Sequence, residues 1–256
     1  SGVAVDAFGR ARGSQPFTLF DSFNRYEDNA KFCTANTSTA TYSFDANSAS
    51  VSLTVDTTSG AKVQRETTRV FAYQPGKSLL VINTFVMNAP QANLAQRIGY
   101  FNDLNGIFLE QTGTTIRFGI KSNVTGSVVY EYANQADWNI DTLLGAVSSS
   151  PSQKTLDLTK AQIFWSDIEW LGVGSVRCGF VIDGQLIHCH TFHHANLITS
   201  TYMTTACLPV RYEIENTGTT AGSATLKQIC STVISEGGYE LRGKARTYGQ
   251  EPGSQR

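Results

Sequence analysis

CGFVIDGQLIHC, residues 178–189, sets the dipeptide Asp183-Gly184 between two apolar runs of strand composition. A type I′ hairpin turn needs positive φ at both central residues, and Asp-Gly accepts that backbone. A hairpin centred on these residues is therefore expected, and its flanks extend the pattern in both directions. Downstream, 208–216 and 224–235 read as strands, and upstream 163–170 does the same. Further upstream, Val51, Leu53 and Val55 alternate with Ser52, Thr54 and Asp56, the period-2 signature of a half-buried strand. SLLVINTFVM, residues 78–87, is a continuous apolar run, as suits a strand covered on both faces. Segments 96–101, 106–110, 115–121 and 127–132 follow as short strands, separated by Asn102–Gly106 and Gln111–Thr114 as turns. Residues 133–162 break the alternation, with short helical turns expected at 136–139 and 158–161 around a Ser/Pro loop at 148–152. Many short strands with little helix predict an all-β sandwich of the jelly-roll kind.

The chain has 256 residues, enough for one large domain or two small ones. Twenty Lys and Arg against 21 Asp and Glu give a net charge of -1, which excludes a general nucleic-acid binder needing a basic excess. Charged residues are 16% of the chain, well under the usual quarter or so, so the surface is polar but sparsely charged or partly covered by neighbours. No stretch reaches the roughly 20 apolar residues of a membrane helix, and the first residues lack the basic n-region of a secretory signal. Cys33, Cys178, Cys189, Cys207 and Cys230 form no CxxC pair, which fits reduced thiols made in a cytosol. Residues 1–48, poor in apolar periodicity, read as an extended arm holding at most a short strand or two. The expected division is an N-terminal docking arm at 1–48, a β-sandwich at 49–240 and a C-terminal tail at 241–256.

Three constellations carry candidate chemistry. All four histidines lie in HCHTFHH, residues 188–194. On a strand His188 and His190 share a face, and with His193 they could offer three imidazoles to zinc or iron. No carboxylate lies in the segment, so a polar strand end explains it equally and no metal or other cofactor is expected. In WSDIEW, residues 165–170, Asp167 and Glu169 share a face with Cα atoms about 6.6 Å apart. The segment resembles the ExDxE signature of laminarinase- and agarase-type glycoside hydrolases, whose sandwich is concanavalin-A-like. That resemblance would make Asp167 the central aspartate and Glu169 the acid/base. Trp165 stands where the nucleophilic Glu belongs, and tryptophan cannot attack a sugar carbon, so no enzyme is expected. The plainer alternative pairs the two carboxylates with Arg177 or Arg211 on neighbouring strands. Aromatic faces stack on sugar rings, so Trp165 and Trp170, with Asp167 and Glu169 beside them, are the candidate glycan-binding residues.

DAFGRARGSQPFTLFDS, residues 6–22, resembles the DAFGRLR-x-S-x-P-x-TLFDS motif near the N-terminus of structural proteins of tailed phages, marine cyanophages above all. Ala11 stands where Leu is usual. The stretches 163–174, 202–205, 208–218 and 226–239 are similar to the same virion proteins, so the resemblance spans nearly the whole chain. It implies a non-enzymatic virion structural protein, made in the host cytoplasm, that decorates the capsid or forms part of a tail or baseplate. Its implied partners are copies of itself, with a trimer as the leading geometry, and neighbouring virion proteins. The alternative within the same setting is a module that binds host-surface glycans; neither nucleic acid nor membrane is an expected partner. In the arm, Phe8, Phe17, Leu19, Phe20 and Phe23 are spaced as apolar anchors, each contributing about 1.5–3 kcal/mol if buried on a neighbour. Arg10 and Arg12 lie among them as candidates for inter-subunit carboxylate pairs.

Overall fold

A computed structural model describes residues 5–11, 15–28 and 30–240. Along the chain run β1 (Phe17–Phe23), β2 (Phe32–Asn36), β3 (Ala40–Asp45), β4 (Ser50–Val55), β5 (Lys62–Thr67), β6 (Phe71–Ala72), β7 (Leu79–Val86), β8 (Leu94–Phe101) and β9 (Gly106–Thr112). They are followed by β10 (Thr115–Ser122), β11 (Val129–Asn134), β12 (Gln162–Ile168), β13 (Val176–Ile182), β14 (Gln185–Phe192), β15 (Cys207–Leu208), β16 (Val210–Asn216) and β17 (Ala224–Ser235). One sheet has the order β14-β13-β12-β7-β17-β4-β3, with β1 added on β17; the other runs β11-β10-β9-β8-β16-β5-β2. A small β15-β6 pair completes the set. The ladders are antiparallel throughout. Among the described residues no helix is long and apolar enough to cross a membrane.

Alternation sends Val51, Leu53 and Val55 of β4 and Leu226 and Val233 of β17 into the core, where they meet Ile98, Tyr100, Tyr212 and Ile214 of the facing sheet. At the other end of the core, Phe118 stacks on Trp138 with ring centroids 4.2 Å apart and on Phe164 at 5.7 Å. The expected hairpin is present: β13 and β14 pair through Ile182 and Gln185, with Asp183 at φ 52° and Gly184 at φ 72°. One of the two expected helical turns is a 3-10 turn at Gln135–Asp137; the other is a single reverse turn closed by the Lys160 N–H on the Asp157 carbonyl.

The boundary expected at residue 48 does not hold. β1, β2 and β3 are strands of the sandwich, not parts of an extended arm. β17 is shared end to end: its first half pairs with β4, its second half with β1, and its other edge with β7. Phe20 is only 2% exposed and packs against Phe71 and Phe32, with centroids 5.1 and 5.8 Å away. After β1, Asn24 donates to Gln228 Oε1 at 2.8 Å, and Arg65, buried on the core side of β5, holds Asp28 and Thr34. The N-terminal third is therefore pinned by its own polar and apolar contacts. Along the free edge of β1, Arg69 donates to the Leu19 carbonyl and Lys31 Nζ to the Asp21 carbonyl. Cationic side chains thus occupy backbone acceptors that an incoming strand would use. The tail at 241–256 and Arg12 lie outside the described residues.

Candidate functional site

On β12, Phe164, Ser166 and Ile168 face the core, which turns Trp165 and Asp167 to the other side of the sheet. That side is covered. Trp165 is 1% exposed, lies over Gly179 of β13, and donates Nε1–H to the Phe180 carbonyl at 3.3 Å. Asp167 is buried against the Arg177 guanidinium, which also donates to the Val5 carbonyl. The N-terminal residues form a closed turn at this place. Asp6 Oδ1 accepts the Phe8 and Arg10 N–H groups at 2.9 and 3.0 Å, and its Oδ2 meets the Arg10 guanidinium. Gly9 supplies the φ of 74° that closes the turn. Arg10 also donates to the Gly76 carbonyl at 2.9 Å. Burial raises the Glu169 carboxyl above its ordinary value, and the charges of Asp6 and Asp167 add to the rise.

These contacts correct several expectations. Trp165 cannot offer a face to a sugar, and Trp170 is half-buried edge-on to Tyr73 at 6.3 Å. Asp167 serves as the counter-charge of Arg177, the plainer of the two readings of that segment. Arg10 is paired with Asp6 within its own turn, and Phe8 is half-buried beneath its guanidinium. Of the spaced anchors, Phe20 is in the core, Leu19 packs on it, and Phe17 and Phe23 remain more than half exposed.

The histidines separate. His188 bonds Thr191 Oγ1 at 2.8 Å, His190 Nδ1 accepts the Asn139 N–H, and His193 is exposed. His194 bonds the Gly174 carbonyl at 2.8 Å and stacks on Tyr202. Burial pushes His188 and His190 down to about 4. Among the described residues no three His, Cys, Asp or Glu side chains gather as metal ligands.

The outer face of the second sheet gathers far more chemistry. The register aligns Glu213 of β16, Arg97 of β8, Glu110 of β9 and Arg117 of β10 in one row across four strands. Arg97 reaches Glu110 at 2.5 Å and Glu213 at 2.6 Å, Arg117 takes the other oxygen of Glu110 at 2.5 Å, and Lys62 meets Glu213 at 2.9 Å. Burial alone would raise the Glu213 carboxyl, but Arg97 and Lys62 outweigh it and hold it below its ordinary value. The next row places Phe108 of β9, Gly119 of β10 and Tyr132 of β11 side by side. A Cβ at Gly119 would stand 2.6 Å from the Phe108 ring, so glycine is what lets that ring lie across the strand toward Tyr132. In the row beyond, Lys121 of β10 pairs with Tyr130 of β11.

Tyr130 and Tyr132 are the exposed product of this packing. They are 48% and 37% exposed, and their rings stack 5.3 Å apart within 6° of parallel. The Arg117 guanidinium sits 3.5 Å from the Tyr132 centroid, and Phe108 meets both rings edge-on at 6.4 Å. Beside Tyr130 opens a groove of about 210 Å³ lined by Ile120, Glu131, His194, Thr201 and Tyr202 among others. Composition alone submerged these tyrosines among ten. The discriminating signal is YEY at 130–132, an aromatic alternation around a charged residue on a strand.

Chemically, Arg117 covers one face of Tyr132 and the Tyr130 ring the other, so the pair offers solvent the far face of Tyr130 and the edge of Tyr132 in fixed orientation, flanked by charged groups already committed to each other. Rings so held stack on the apolar faces of sugars.

No protein-family model matches the chain, and neither does any curated protein. Solved structures do. A Bacillus licheniformis β-glucanase superposes with a TM-score of 0.51 at 11% identity, over 84% of this chain and 96% of its own. The carbohydrate recognition domain of Emp47p gives 0.50 at 10% identity, over 85% of this chain and 94% of that one. A protein of unknown function from Shewanella oneidensis MR-1 gives 0.53 at 11% identity, over 92% of each. At such identities the likeness speaks for architecture alone, and it identifies the two-sheet body as a concanavalin-A-like, jelly-roll sandwich.

Proposed function

We propose that this chain is a non-enzymatic glycan-binding module, carried on a virion, whose ligand stacks on Tyr130 and touches the edge of Tyr132. The observation that carries the reading is the parallel, exposed tyrosine pair, fixed by Arg117 on the face of Tyr132 and by Phe108 edge-on. Orientation fixed before binding spares the entropy of ordering two side chains on the ligand. Two of the similar sandwiches, a carbohydrate recognition domain and a β-glucanase, have names that refer to carbohydrate. Residence on a virion rests on the resemblance carried by residues 6–22. The test is a glycan array followed by titration calorimetry of each hit. Tyr130→Ala and Tyr132→Ala should each weaken binding tenfold or more, about 1.4 kcal/mol, while Trp170→Ala leaves it unchanged. Retained affinity in both tyrosine variants would overturn the site.

A second reading, a structural role in particle assembly, is favoured by one feature. Phe17, Phe23 and Tyr26 stand exposed along and just after β1. Particles assembled with Phe17→Ser/Phe23→Ser protein should then contain fewer copies of it. Wild-type occupancy would remove this role.

A further inference from the structure

Resting on the glycan reading, we infer that the sugar bound at Tyr130 carries an acidic group, a carboxylate or a sulfate, that pairs with Lys121. Five cations occupy the outer face of the second sheet: Lys62, Arg97, Arg117, Arg211 and Lys121. Four close ion pairs there: Lys62 with Glu213, Arg97 and Arg117 with Glu110, and Arg211 with Glu66. Lys121 has no carboxylate partner among the described residues. Asp103, on the adjoining loop, is taken by Arg211 at 2.6 Å. Lys121 is nevertheless only 8% exposed. Its ammonium donates to the Asn102 carbonyl at 3.2 Å and otherwise lies against the rings of Phe101 and Tyr130, 5.4 and 5.8 Å from their centroids.

An ammonium has three donors, and only one is accounted for here. A desolvated charge without a counter-ion is costly. Burial lowers the Lys121 ammonium below its ordinary value; the charges of Glu213 and Asp103 oppose this, and those of Arg97 and Arg211 add to it. Two aromatic faces recover part of the cost through cation–π attraction, and an anion would supply the rest. Lys121 is the cross-strand partner of Tyr130, so a sugar stacked on that ring brings its substituents to the ammonium. A neutral sugar would leave both remaining donors without a charged acceptor, which is the basis of discrimination.

The full chain is titrated with matched oligosaccharide pairs: an oligogalacturonate and its carboxyl-reduced form, and a sulfated galactan fragment and its desulfated form. At least one acidic member should bind tenfold or more tightly than its neutral twin, with a preference that shrinks as salt rises. In Lys121→Met the preference should vanish while affinity for the neutral twin persists, and Lys121→Arg should restore it. The wild-type comparison stands by itself should the Met variant misfold. Equal affinity for acidic and neutral twins, or a preference that survives in Lys121→Met, overturns this inference and leaves the glycan reading intact. Binding of no glycan, on the array or in these pairs, overturns both.

Discussion

Replacing Phe20 with Ala separates a self-contained N-terminal strand from one that waits for a neighbour. The side chain is 2% exposed, with Phe71 and Phe32 on two sides and the charged ends of Lys31 and Arg69 at 5.5 and 5.7 Å from its ring. Deleting a fully buried Phe costs about 3–5 kcal/mol through lost transfer energy and the cavity left behind. Losing two cation–π contacts adds about 0.5–1 kcal/mol each at a partly exposed site. A loss of about 4 kcal/mol is the conservative sum, and at about 2–4 °C per kcal/mol for a chain of this size it lowers the Tm by about 8–16 °C. Urea unfolding of the purified monomer, followed by tryptophan fluorescence, reads it directly. Phe17→Ala is the control, because that ring is 51% exposed and its truncation should cost less than 1 kcal/mol. Equal, small effects of both changes on the monomer would show that β1 is not part of the folded unit, and the packing argument would fail.

Other outcomes follow from the same packing. Gly119→Ala drives a methyl group into the Phe108 ring and should destabilise by about 1–3 kcal/mol, with a shift of the Tyr132 ring resonances in NMR spectra. Arg177→Met strips buried Asp167 of its guanidinium and one donor from the Val5 carbonyl. It should cost about 3–5 kcal/mol and speed hydrogen exchange at the Phe8 and Arg10 amides. Because folding depresses His188 and His190 to about 4, the unfolded chain binds more protons below the ordinary value of 6.5. Stability should therefore be full above pH 6.5 and decline as the pH falls toward 4. Neither imidazole should titrate between pH 7 and 5 in NMR spectra; a midpoint near 6.5 would contradict their burial.

Much of the sandwich is legible in the residues. Asp183-Gly184 announces its hairpin through backbone chemistry, and the alternation of 51–55 places β4 without any knowledge of its partners. β1 hides because its register breaks between Thr18 and Phe20, and because two of its inward or closing groups, Ser22 and Asn24, are polar. Asn24 is satisfied by Gln228 and Ile229, two hundred residues on, which accept from its side-chain amide. Alternation along β12 turns Trp165 and Asp167 to the side of the sheet away from the core. Whether that face meets solvent depends on segments that no local pattern links to it: Gly179 and His188 against Trp165, and Val5 against the Arg177 that pairs with Asp167. Tyr130 and Tyr132 escape notice for the converse reason: their exposure depends on β11 lying at the end of its sheet, a property of strand order rather than of the strand.

β17, the last strand among the described residues, lies in the interior of its sheet between β7 and the β1–β4 row. Until residues 224–235 are in place, the facing edges of β7, β4 and β1 lack their backbone partners. Closing that gap joins segments far apart in the sequence, which makes it a slow step of folding.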